Sequence, residues 1–424
     1  MKIVLLSMMM AGVLAACHKK TDTSAPLRIN TFFPSSAASD SLLHISGSGF
    51  SRNIADNVVT FNDKTAIVTA ATDTSLTVKV PAGAGDGKIN VKVGGQSVEA
   101  STEFTYIYTV STLAGSGAPG NIDAMGKDAR FAGPAGVAAD IVGNIFVSDR
   151  GNDFIRKIAP DGNVTTFVGI QGLAIFAFPH QIAMDTAGNV YVADEDYHRI
   201  DKITPDGHVS ILAGDPDGAY GARDGIGTAA QFHNPQGVAV DKFGNVFVAD
   251  TYNSVIRKID PNGLVTTYAG QLNGLGGFKD GPAASAKFLT PVSVAVDAGN
   301  NVYVTDPGNQ RIRVINAAGI VRTLAGTGVE GYADGAGATA KFDNPDGVAV
   351  DAMGNVYIAD RYNHRIRKIT SSGVVSTVAG NPTPGFADAA GAAAMFNYPS
   401  GVVVDAKGTI YVADQLNNRI RKIQ

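Results

Sequence analysis

Acidic and imidazole side chains at fixed spacing are the residues of this chain that look fit for chemistry. Asp140, Asp185, Asp241, Asp297, Asp351 and Asp405 each close a short apolar run. Asp149, Asp194, Asp250, Asp306, Asp360 and Asp414 close the run that follows. So many carboxylates invite a metal or general acid–base reading. Their regularity argues the other way, because one active centre needs a few asymmetric groups, not the same group six times. Asp ahead of x-x-Gly-Asn accepts backbone N–H bonds within its turn. Asp at the end of the second run can pair with Arg of the third. Both sets read as structure.

The elements that carry these residues are short. Phe342–Gly380 reads as four β-runs, VAVD, VYIAD, RIRKI and VVSTVAG, separated by the turn formers AMGN, RYNH and TSSG. Copies aligned on Phe-x-x-Pro begin at Phe131, Phe176, Phe232, Phe288, Phe342 and Phe396, at intervals of 45, 56, 56, 54 and 54 residues. Four strands per copy is the pattern of a β-propeller blade. The sixth copy stops at Gln424 without a fourth strand, while Thr109–Gly115 (TVSTLAG) matches a fourth strand, VSTVAG, with nothing before it. A six-bladed propeller over 109–424, its last blade completed by residues 109–115, is therefore expected. Closure removes the open sheet edges.

Composition narrows the partners. Residues 109–424 hold 25 Lys and Arg against 30 Asp and Glu, a balance that does not suit nucleic acid. One cysteine among 424 residues excludes an internal disulfide framework and a Cys-based zinc site. That Cys17 follows Leu14-Ala15-Ala16 and the apolar run IVLLSMMMAGVLAA, which is too short to span a membrane as a helix. Residues 1–16 resemble a bacterial lipoprotein signal peptide. The resemblance implies cleavage before Cys17, lipidation of Cys17, a polar tether over 17–26, and lipid anchoring in the cell envelope. His18 beside the Cys favours the outer membrane.

Between tether and repeats, residues 27–108 form a run of short strands with Pro, Gly and Asp between them, the pattern of an all-β sandwich. They resemble the IPT/TIG immunoglobulin-like domain. The likeness rests on Pro34, Gly47-Ser48-Gly49-Phe50, Val58–Asn62, Thr72–Leu76, Val80–Gly83, Val91–Gly95 and Phe104-Thr105-Tyr106. Ser35–Asp40 departs from the family's Gly-Gly turn. Such a domain serves as spacer or binding module, and His44, alternating with Leu43 and Ile45, is expected on the solvated face. The six copies over 109–424 in turn resemble NHL repeats.

Relatives of that repeat family, the peptide-amidating lyases, bind zinc through His just after the Pro of several blades. Here that position holds Ala135, His180, Gln236, Val292, Asp346 and Ser400, so only His180 matches. His180 and Asp346 lie three blades apart, placing them across a channel. No cofactor and no catalytic set follows, and no nucleophile elbow or P-loop occurs. His198, His233 and His364 are read as falling at different repeat positions.

Five joins between blades carry an Asp eight residues before the Phe (Asp123, Asp224, Asp280, Asp334 and Asp388), read as the cap of a helical turn. The joins are expected to surround the channel mouth with the loops after strand two. Phe278, Tyr332 and Phe386 lie in these joins. Tyr197, Tyr252 and Tyr362 recur in the loops as exposed aromatics. The favoured reading is a non-enzymatic envelope lipoprotein binding a polysaccharide or protein through His180, Gln236, Asp346, Tyr197, Tyr252 and Tyr362. The alternative is a metal-assisted lyase or hydrolase at the channel mouth.

Overall fold

The computed structural model describes residues 25–424 except 63 and 171; the expected signal peptide and Cys17 lie outside the described residues. No helix of the described residues is long and apolar enough to cross a membrane.

The first unit is a two-sheet sandwich. One sheet orders Arg28–Phe33, Leu42–Ser48, Ser75–Lys79 and Ile67–Ala71; the other orders Ser36–Ala37, Gln96–Tyr106, Gly87–Val93, Asn57–Phe61 and Lys64–Thr65. Alternation decides which faces meet: Leu43 and Ile45 are buried, and Phe61 packs edge-on to Phe104 at 5.0 Å. His44 points outward as expected, 3.0 Å from Thr77 Oγ1. The segment that departs from the IPT/TIG pattern pairs Ser36–Ala37 in parallel with Thr105–Tyr106.

Six further sheets follow, each with four antiparallel strands, in sequence order in all but the last; three gain a two-residue fifth strand at the outer edge. Every second strand is fully buried along its length, and the Phe that opens each copy is buried beside it. Val110–Ala114 takes the outer place in the last sheet, with Val110 opposite Ile423 and Thr112 opposite Arg421. The ring also closes at its inner edge. Gly401 N–H donates to Ala135 O at 2.6 Å, and a Cβ on Gly401 would stand 2.3 Å from that oxygen. Only glycine allows this approach.

A side-chain latch joins each blade to the next. The residue three positions beyond the first residue of the loop after strand two adopts a left-handed conformation and accepts the N–H of the residue before the next blade's Pro. Asp153 accepts from Phe178, Gln310 from Asn344, and Asn418 from Gly133, each at 2.8 Å. Ser254 does so from Thr290, and the Nδ1 atoms of His198 and His364 accept from Asn234 and Tyr398 at 3.2 Å. His198 and His364 thus share one repeat position, contrary to the sequence reading, and both act as hydrogen-bond acceptors in the ring. Asn418 closes the circle from blade six to blade one.

Inside five blades a fully buried Arg ties three segments. Arg367 pairs with Asp360 at 2.5 Å and Asp334 at 2.6 Å, and lies 5.1 Å over the Phe342 ring. Arg156, Arg257, Arg313 and Arg421 repeat the arrangement. The pairing expected between strands two and three is present, and so are the Asx turns: Asp351 Oδ1 accepts from Met353 and Asn355 N–H. The helical-cap reading of Asp123 and its counterparts is corrected. The short 3₁₀ turns in the joins begin at other residues without a side-chain cap. The Asp binds the buried Arg and the strand-four Thr instead, as Asp334 does with Thr377 N–H and Oγ1. In blade six that Thr is Thr112, supplied from the N-terminal side of the ring. The joins therefore run down the outer wall beside strand four, as Gly281–Pro282 does beside Ile320–Val321, and do not surround the mouth.

Blade two breaks the rule coherently. Its join, Ile170–Ile175, lacks the Asp, and Asp201 stands where the other blades have Arg. Arg199 reaches in to Asp201 at 3.0 Å and Asp194 at 3.7 Å, leaving two fully buried carboxylates with one cation. Burial, with Asp201 beside it, pushes Asp194 up to about 9. A raised folded pKa means stability present at low pH is lost as pH rises toward that value. The chain should thus lose thermal stability as pH rises from the ordinary Asp value of 3.8 toward about 9, and Asp201→Asn should flatten the slope, read by calorimetry across that range. Equal slopes in both proteins would contradict it.

The sandwich docks on the propeller face that carries the strand one–two turns. A Cβ on Gly83 would lie 2.9 Å from Gly408 Cα, and Tyr108 packs into both cores. Ala25 sits by Gly49 at the opposite end of the sandwich.

Candidate functional site

The residues that differ most from blade to blade meet at one place. On the face away from the sandwich, the positions after the Pro in blades two to five and after the strand-two Asp in blades one, four, five and six converge on a cavity of ≈ 140 Å³. Strand one starts there and strand two ends there, so any propeller of this register gathers those two positions at its mouth. Arg150, His180, Gln236, Asp346, Arg361 and Gln415 supply the polar wall; Val292, Pro307 and Pro345 supply the apolar one. Below it, the inner strands of all six sheets line a shaft of ≈ 190 Å³ walled mainly by Val and Ala.

The polar wall is held by two linked groups. Arg150 Nη2 donates to Glu195 Oε2 at 2.8 Å, and Gln236 Nε2 donates to Glu195 Oε1 at 2.7 Å. Opposite, Arg361 donates to Asp346 Oδ2 at 3.1 Å and to Gln415 Oε1 at 2.6 Å. His180 is 4% exposed, and its Nδ1 lies 3.2 Å from Gln236 O. A carbonyl only accepts, so Nδ1 carries the hydrogen. Burial pushes the imidazole pKa down, which keeps the ring neutral and leaves a lone pair on Nε2. Asp346 Oδ1, Arg150 Nε and Arg361 Nε have no protein partner, although Asp346 is only 2% exposed.

Of the six candidate residues, His180, Gln236 and Asp346 line this cavity together. The three tyrosines do not. Tyr252 and Tyr362 are exposed farther out, edge-on to His233 at 5.2 Å and Tyr398 at 5.4 Å. Tyr197 is half-buried beneath the Arg199 guanidinium at 4.5 Å, with its hydroxyl donating to Ala174 O at 3.3 Å. There it does for blade two what Phe278, Tyr332 and Phe386 do under Arg311, Arg365 and Arg419. Sequence reasoning missed Arg150, Glu195, Arg361 and Gln415. Their signal was available: the residue after the strand-two Asp varies as freely as the residue after Pro. Among the described residues no three His, Cys, Asp or Glu side chains are grouped to hold a metal ion.

Comparison with known proteins agrees with this architecture. The IPT/TIG domain model matches residues 27–106, and the NHL repeat model matches 232–259, 288–315, 342–369 and 396–423. Human teneurin-4 is 32% identical over 230 residues, which is 47% of this chain and 8% of teneurin-4, so the chain spans a small part of that relative. A Bacteroides thetaiotaomicron protein of unknown function superposes with a TM-score of 0.69 at 23% identity, covering 95% of this chain and 99% of the other. A second protein of that organism, described as an auxiliary nutrient binding protein, gives 0.59 at 20% identity, covering 94% and 97%. Blades one and two, which the repeat model does not match, form the same four-stranded sheets as the rest. The chain carries an IPT/TIG domain and, in four of the six sheets that follow it, NHL repeats.

Proposed function

We propose that this chain is a non-enzymatic binding protein of the cell envelope, lipid-anchored through Cys17, with the propeller mouth as a platform for a polysaccharide. One observation carries the reading. The sixfold grammar is broken at the mouth by asymmetric polar side chains that meet in one cavity. The fold neighbour described as an auxiliary nutrient binding protein is in keeping with a binding role. A tether leaving near Ala25, at the end of the sandwich far from the propeller, would hold the mouth away from the membrane. That suits the spacer role for the IPT/TIG domain. The lyase or hydrolase alternative requires converging metal ligands or an acid–base pair; Glu195 is held by Arg150 and Gln236 and Asp346 Oδ2 by Arg361, which leaves it only His180 Nε2 and Asp346 Oδ1 to use.

The test is a screen of the full chain against envelope and dietary polysaccharides. Saturable binding is expected, weakened at least tenfold by Arg150→Ala with Arg361→Ala, and much less by Tyr252→Ala with Tyr362→Ala. A ligand that tolerates the arginine pair but not the tyrosine pair would move the site from the mouth to the outer rim. A protein ligand competing at the mouth would replace the polysaccharide.

A further inference from the structure

Resting on that reading, we infer that the mouth receives the terminal residue of a neutral glycan, end-on, rather than an acidic sugar or an internal stretch of chain. Size is the first argument. A cavity of ≈ 140 Å³ is close to the roughly 150 Å³ that holds one benzene ring. A hexose carries about twice the heavy atoms of benzene, so the cavity admits no more than one edge of a single sugar residue. Below it the shaft is only ≈ 190 Å³, walled mainly by Val and Ala with Gln181 and Ser293 among them. A shaft of that size cannot take a run of further sugar residues, so a single residue enters and the rest of the chain stays outside.

Charge is the second argument. Two arginines face two carboxylates across short bonds, and His180 is neutral, so the ionised side chains of the mouth cancel. A uronate, sulfate or phosphate would lie against Glu195 and Asp346. An amino sugar would lie against Arg150 and Arg361. A hydroxyl both donates and accepts, and suits a wall where the two kinds of group alternate. Asp346 and the His180 Nε2 lone pair supply acceptors, and the partly exposed guanidinium groups of Arg150 and Arg361 supply donors. A pyranose has polar edges and a C–H face, and Val292, Pro307 and Pro345 provide the matching apolar surface.

The experiment is calorimetric titration of the full chain. The probes are linear neutral oligosaccharides of several hexoses, the same sugars ending in a uronic acid or amino sugar, and cyclic glucans without ends. A neutral linear oligosaccharide should bind at least tenfold tighter than its uronate-ended and amino-ended counterparts and than the cyclic form. Asp346→Asn should weaken it at least tenfold and narrow the preference over uronate. Val292→Phe, which fills the cavity from its apolar side, should abolish binding while thermal stability shows the fold intact. Tighter binding of charged ends, equal binding of cyclic glucans, or indifference to Val292→Phe would overturn the inference while leaving a glycan-binding platform standing. No glycan binding at all, beside a protein that binds the mouth, would overturn both.

Discussion

Arg367→Met should lower the unfolding free energy by about 3–5 kcal/mol, the usual result of removing one partner from a buried ion pair. The side chain is fully buried, and its loss strands the equally buried Asp360. Burial already lifts Asp360 to about 6 against the pull of Arg367, so without the guanidinium that carboxyl must protonate or admit water. Asp334→Asn should cost far less, about 1 kcal/mol or below, because that carboxylate is 36% exposed and the amide still accepts one bond. With no Trp in the chain, urea unfolding is best followed by circular dichroism. Similar costs for the two substitutions would show that the Arg is not the member on which the blade depends.

Val110→Asp should destabilise the propeller by roughly 3 kcal/mol or more, whereas Ser111→Asp should stay within about 0.5 kcal/mol. The two residues are neighbours on one strand and point to opposite sides: Val110 is 4% exposed and packed in the blade-six core, Ser111 is exposed. A residue more than 300 positions from Ile423 matters to blade six only because the ring closes through that strand. The readout is the thermal midpoint of the propeller transition. Equal tolerance of both substitutions would mean that the strand adds little to closure.

Much of this fold is written in the repeat itself. The missing fourth strand at Gln424 and the surplus one at Thr109 point to each other, and the structure pairs them. The Asx turns and the Asp–Arg pairing were legible because each is local, or one strand distant, and recurs. The path of the joins was not legible. Asp123 or Asp334 followed by small residues looks like a cap, and only the buried Arg, more than 30 positions later, shows what the carboxylate holds. The exposure of Tyr197 was hidden in the same way, since it turns on whether Arg199 lies over the ring.

The mouth was half legible. His180, Gln236 and Asp346 stood out as odd residues at a shared position. Arg150, Glu195, Arg361 and Gln415 sit next to aspartates so regular that they drew attention away. Their meeting is a property of the closed ring. His180 and Asp346 are 166 positions apart in sequence and share a cavity because three blades separate them on a circle of six. Blade two shows the grammar from its exception: losing the join Asp and the buried Arg together, it keeps its four strands. The ion clamp therefore stabilises a blade without defining it.

Hydrogen exchange with and without a polysaccharide from the binding screen tests the central claim most directly. Slowed exchange should concentrate in 150–153, 195–198, 361–364 and 415–418, the loops around the mouth, and spare both the joins on the outer wall and the IPT/TIG sandwich. Protection confined to the joins or to the sandwich, with the mouth loops unchanged, would contradict the account.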